Sequence, residues 1–240
     1  MSDRGQSETI SFVMVFVLIT LTVGVVSVVG VDGLQNVRHA EQVNNMERAF
    51  EILDDNVEDV SREAAPSRAT EIKLAGGTVG LGDPIWINVT DNAGTTTKVK
   101  TKPVIYDDGE GTQIVYAAGA VIRVDDGNGV MLSEPSWLLG ADPGLMQVYS
   151  FTGERRSLGG STNMLVVAHR RGHRYEGSFD SGTDDVDVVV KSPRAEVWGR
   201  YLDEAGLNQQ SLTDEKATYR VTSGSEIRLT KAVVRIELVQ

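Results

Sequence analysis

The sequence predicts an α+β protein. A long N-terminal helix, transmembrane and then extracellular, precedes an antiparallel β-sandwich-like domain that carries a short C-terminal helix. Three observations predict it. Thr9 to Val31 run without a charge. From Leu34 to Ala64 apolar residues recur mostly at steps of three and four, the period of a helix face. After Pro66 the period drops to two, and turn signals arrive every eight to twelve residues.

The uncharged run, taken as a helix rising about 1.5 Å per residue, spans roughly 34 Å, enough to cross a hydrocarbon core of about 30 Å. It is apolar all round, whereas a core helix of that length is amphipathic. A removable signal peptide has an apolar region of about 7–15 residues and a small-x-small cleavage site. This run is longer, and no such site stands near Val31. A plain transmembrane anchor fits. Asp3 and Arg4 nearly cancel, so the positive-inside rule has little to count. A short N-terminal stub and a large following domain make N-inside, C-outside the natural orientation.

The apolar stripe continues through Leu34, Val37, Val43, Met46, Phe50, Leu53, Val57, Val60 and Ala64. Arg38, Glu41, Glu47, Asp54, Asp55 and Glu58 lie off it. Pro66 ends the pattern, because the residue before proline is pushed out of the helical region. Gly24, Gly30 and Gly33 are points where the helix could loosen. Residues 8–65 therefore read as one helix, or two nearly collinear ones, of roughly 85 Å. Two uses of the stripe stand open: packing against the following domain, and a seam between subunits.

Beyond Pro66 the turn signals are Gly76-Gly77, Gly82-Asp83-Pro84, Asp91 to Gly94, Asp107-Asp108-Gly109 and Asp125-Asp126-Gly127. Strand candidates between and after them are PIWINVT, TQIVYAA, AVIRVD, MQVYSF, NMLVVAH and DVDVVVK. SPRAEVWGRYLDEAG reads as the short helix, with Ser192 as N-cap, Pro193 in the first turn and Gly206 as terminator. Two strands, around 218–223 and 226–238, close the chain. In the last, Ile227 and Leu229 share one parity while Val234, Ile236 and Leu238 share the other. A bulge near Thr230 to Ala232 reconciles them.

The charge balance narrows the function classes. The net charge is −11, from 23 basic and 34 acidic residues. Nucleic acid is not an expected partner, since phosphate binding needs clustered cations. Arginines outnumber lysines 16 to 7. Two readings fit so acidic a surface: ordinary solubility, or adaptation to molar salt, where a Debye length of about 3 Å screens carboxylate repulsion. Cysteine is absent, which excludes disulfides, thiol nucleophiles and cysteine-linked lipid.

Arg4-Gly5-Gln6-Ser7 directly precedes the apolar run. This resembles the cleavage motif of archaeal prepilins and archaellins, in which a basic residue and a small one precede the cut. The resemblance implies cleavage between Gly5 and Gln6. Residues 1–5 would then be a cleavable leader, 6–66 the long helix with its transmembrane segment 9–31, and 67–240 the extracellular β-rich domain. Glu8 would be the third mature residue. It either joins a neighbouring subunit during assembly or complements the positive end of the helix, with Ser7 as N-cap. The start of the chain, AEQVNNMERAFEIL and APSRATEIKL are together similar to a haloarchaeal pilin-like class of surface proteins. That resemblance implies a single-pass subunit of the cell membrane or a pilus. Its implied partners are the membrane, a prepilin-type peptidase and other pilin subunits. The alternative is an anchored surface protein whose β-domain binds a ligand without polymerising.

No catalytic set, cofactor site or metal site can be assembled. His169 and His173 stand four apart in HRRGHR, but Gly172 lies between them and no glutamate follows His169. The segment reads as a basic hairpin tip, with Arg170, Arg171 and Arg174 as the local positive patch. The third histidine, His39, lies on the helical pattern. Asp180 to Asp187 lacks the spacing of a calcium loop. GGSTN, 159–163, lacks the lysine of a phosphate loop, and there is no G-x-S-x-G elbow. Asn88 heads the only glycosylation sequon, Asn88-Val89-Thr90, on the polar face of a strand candidate.

Overall fold

The computed structural model describes residues 3–63, 65–139, 141, 143–154, 156–180, 185–221 and 226–240, with side chains omitted at 3–9, 28–32 and 36. The chain falls into two compact units, Met1–Asn45 and Met46–Gln240. Helix α1 (Asp3–Arg62) is continuous through Gly24, Gly30 and Gly33 and stops short of Pro66. Among the described residues a short helix, α2 (Ala195–Glu204), and thirteen strands follow.

The strands form two sheets. The first is built from β1 (Ser67–Leu81), β4 (Val104–Asp107), β5 (Thr112–Ala117), β6 (Ala120–Asp125), β7 (Asn128–Ser133), β8 (Gly144–Thr152), β9 (Ser157–Asp180) and β13 (Glu226–Val239). Their spatial order is β7-β6-β5-β4-β1-β9-β13-β8. The second contains β2 (Ile85–Asp91), β3 (Thr96–Thr101), β10 (Val186–Lys191), β11 (Asn208–Thr213) and β12 (Lys216–Arg220), in the order β11-β12-β10-β2-β3. The first sheet is mixed and departs from the purely antiparallel expectation. β8 pairs with β13 in parallel, Ile227 opposite Gly144 through Arg235 opposite Thr152. The 73 residues between the two strands include β9, β10 and α2, long enough for a crossover that no hairpin could supply.

One apolar core is shared by the two sheets. Ile87, Val89, Val188, Val190 and Tyr219 from the smaller sheet pool with Val115, Ile122, Met146, Val148, Phe179, Ile227 and Leu229 from the larger, and Trp198 of α2 joins them. Trp137 and Trp198 stack at 5.5 Å, with the Tyr201 ring edge-on to both. The larger sheet is also buried on its opposite face. In β5, Val115 and Ala117 point into the shared core. Ile114 and Tyr116, of the other parity, are equally buried. That is why TQIVYAA reads as a near-continuous apolar run.

The cover on this second face is the Met46–Arg62 part of α1. Met46, Phe50, Leu53, Val57 and Val60 are all buried, so this part of the stripe packs within the molecule. Polar pairs fix the helix at four strands. Glu47 meets Arg123 of β6 at 2.7 Å. Asn56 Nδ2 donates to Thr70 of β1 at 2.9 Å, and Asp59 meets Arg68 of β1 at 3.3 Å. Asp54 faces Tyr116 of β5, and Arg62 bonds Tyr149 of β8.

Backbone irregularities absorb several sequence signals. The parity switch in β13 is a bulge, with a register shift between Leu229 and Thr230 and a second between Val233 and Val234. Gly76-Gly77 is not a turn but a bulge inside β1. Gly77 has φ +73°, and a Cβ there would sit 2.4 Å from the Asp107 carbonyl oxygen. Asp126-Gly127 is a true two-residue hairpin with φ of 49° and 86°, the positive pair a type I′ turn requires. In α2 the N-cap is Arg194 rather than Ser192, whose hydroxyl instead accepts the Arg194 N–H at 3.1 Å. Gly206, at φ +85°, ends the helix as expected.

Candidate membrane and assembly segment

Ile10–Ser27 of α1 is long and apolar enough to cross a bilayer, and none of it is buried. Phe12 and Phe16, one turn apart, stack at 6.4 Å. Its two inner threonines carry no unmet polar group. Thr20 and Thr22 donate their hydroxyls to the Phe16 and Leu18 carbonyls at 2.8 Å. Such internal closure is what hydrocarbon demands of a helix. Further along, Leu34 and Val37 are 62% and 58% exposed, while the stripe from Val43 to Val60 is buried. The stripe therefore divides, apolar and uncovered up to Val37, apolar and covered beyond. Arg4, Gly5, Gln6, Ser7 and Glu8 belong to the first turns of the α1 backbone, and their side chains lie outside the described residues.

The polar seam between α1 and the larger sheet is electrostatically tense. Burial pushes the Asp54 carboxyl up to about 7, with Glu58 and Asp55 adding to the rise. Tyr116 and Arg62 oppose it. The fully buried Tyr116 hydroxyl faces this carboxyl short of full hydrogen-bond geometry. Burial likewise raises the Tyr149 phenol to about 12, against the pull of Arg62. Glu58 and Arg62 are themselves ion-paired one turn apart.

The other sequence candidates are scattered. The HRRGHR segment is not a hairpin tip. It lies inside β9, paired with β13 from His169 opposite Arg235 to Arg174 opposite Lys231. Two bulges in one long strand gave it the look of a loop. On a strand the two histidines stand about 13 Å apart, too far to share a metal. His169 Nε2 lies 3.4 Å from Glu237. Among the described residues no three His, Asp or Glu side chains gather as a metal site. Of the acidic run, 181–184 lie outside the described residues, while Asp185 and Asp187 both bind Arg220. His39 is half-exposed on α1, and GGSTN is strand within β9.

Asn88 sits mid-strand between Lys98 and Val189, 8% exposed, with a buried Oδ1 that lacks a partner. Trp86 and Lys100, which stack at 5.2 Å, occupy the adjacent row on the same face. The sequence pattern puts Asn88 on the polar face of its strand, and the fold buries it there.

No curated protein and no solved structure matches the chain. One family profile matches residues 4–239, nearly the whole length, including the apolar segment and both sheets. The chain belongs to that family, DUF7289, a family of unknown function.

Proposed function

We propose that the chain is a membrane-anchored, outward-facing pilin-like structural subunit with a sandwich-like β-domain. In this reading a prepilin-type peptidase cuts between Gly5 and Gln6. The single observation that carries it is the fully uncovered apolar helix Ile10–Ser27 directly behind Arg4-Gly5-Gln6-Ser7. In the membrane that surface meets lipid. Released into a filament, it would be buried against neighbouring copies, with Leu34 and Val37 extending the contact. Helices so joined exchange lipid contacts for close side-chain packing, because lipid tails are as apolar as the helix surface and supply no water-exclusion term. The Met46–Arg62 part of α1, pinned to the larger sheet, would hold the β-domain outward.

Mass spectrometry of the N-terminal peptide from native membranes tests the reading. The expected mature chain begins at Gln6, and Gly5→Phe should accumulate uncut precursor. A native chain that keeps Arg4 and Gly5 would refute processing and leave a permanently anchored surface protein.

A further inference from the structure

A groove of about 540 Å³ opens where β5, β6 and β7 meet α2 and the β11–β12 turn. Its walls are mainly apolar or backbone, from Val124, Gly127, Gly129, Pro193, Val197 and Leu212. One cation lines it, Arg194. The guanidinium donates from Nη2 to Gln113 Oε1 at 2.6 Å. Gln113 in turn donates to Asp107 at 2.7 Å, so the amide is held with its oxygen toward the arginine. Arg194 Nε is buried without a partner. Among the described residues no carboxylate comes within the 4.0 Å of an ion pair. Two carboxylates also line the groove: Glu196 is paired with Arg200 at 3.0 Å, and Asp214 is exposed in its turn.

A half-buried guanidinium without an ion-pair partner is costly to keep. Burial alone already weakens its hold on the proton. In a chain of net charge −11 a compensating acid would be easy to place, and Arg123 and Arg220, each 32% exposed, have two apiece.

We propose that this groove binds a small organic monocarboxylate, its carboxylate taken by Arg194 and its body by the apolar and glycine-backbone walls. The guanidinium plane suits a carboxylate. One uncompensated charge favours a monoanion over a dianion such as phosphate. The volume lies in the range of small-molecule pockets, about 300–1,000 Å³, and exceeds what a bare inorganic anion fills. A sugar acid has the matching size and charge. This site is independent of whether the subunit assembles.

The experiment uses the full chain in detergent micelles, wild type and Arg194→Gln, with glucuronate, glucose and phosphate as probes. Urea unfolding is followed by tryptophan fluorescence, and binding by calorimetry. Glucuronate is expected to bind saturably and to stabilise the wild type. Arg194→Gln should weaken that binding at least about tenfold, the worth of a charge-assisted hydrogen bond. Glucose should not bind measurably. Without ligand, Arg194→Gln should be at least as stable as the wild type, because it removes an uncompensated charge. Phosphate binding as tight as glucuronate would reassign the groove to inorganic anions and overturn the proposal. So would no glucuronate binding, or a ligand-free variant that unfolds more readily and so marks Arg194 as structural.

Discussion

Replacing Asp54 by asparagine tests the electrostatics of the seam between α1 and the larger sheet. The carboxyl rises from 3.8 to about 7 on folding, chiefly through burial. At about 1.36 kcal/mol per pKa unit, a rise of some three units is worth about 4 kcal/mol at most. The sign follows from proton counting. Below pH 3.8 Asp54 is protonated in both states and costs nothing. Between 3.8 and 7 the folded protein holds a proton that the unfolded chain has released, so stability falls as pH rises. Above 7 both states are ionised and the full cost remains. Neutral asparagine removes it. The gain from Asp54→Asn should be near zero at pH 4 and grow to a few kcal/mol by pH 8. The neighbours Asp55, Glu58, Arg62, Tyr116 and Tyr149 are common to both proteins, so the difference isolates Asp54. Urea unfolding from pH 4 to 8 reads it, since Trp86, Trp137 and Trp198 all lie within the Met46–Gln240 unit. A stability difference that stays flat across that range would refute the reasoning.

Three more substitutions probe the packing by the same unfolding assay. Phe50→Ala, at a fully buried helix position, should cost about 3–5 kcal/mol through lost burial and the cavity left behind. Thr101→Val should cost about 1–3 kcal/mol, because the buried Thr101 hydroxyl is the acceptor of the Phe151 N–H at 2.9 Å and links the edges of the two sheets. Gly77→Ala should cost at least about 1 kcal/mol for its positive φ alone, with the clash at the Asp107 carbonyl added. A Gly77→Ala protein of wild-type stability would show that the bulge relaxes freely.

Local chemistry made much of this molecule readable in its sequence. The uncharged run and the stripe behind it specify a helix because period and charge are properties of neighbours along the chain. Asp126-Gly127 specifies its hairpin because positive φ is a property of those two residues. The change of parity at Thr230 announced a bulge, since one strand cannot bury both parities on one face without one.

What only the tertiary structure decided depends on residues far apart in the chain. Gly76-Gly77 and HRRGHR carry the residues of turns, yet long partners on both sides of β1 and along β9 hold them in strands. The parallel pairing of β8 with β13 joins segments separated by most of the β-domain, and no period encodes it. Asn88 has the spacing of an exposed residue, yet it is buried within the smaller sheet. Arg194 has the look of an ordinary surface arginine beside a helix start. Its missing ion-pair partner became visible only when folding brought β5, β7 and the β11–β12 turn around it and left no carboxylate within ion-pair distance.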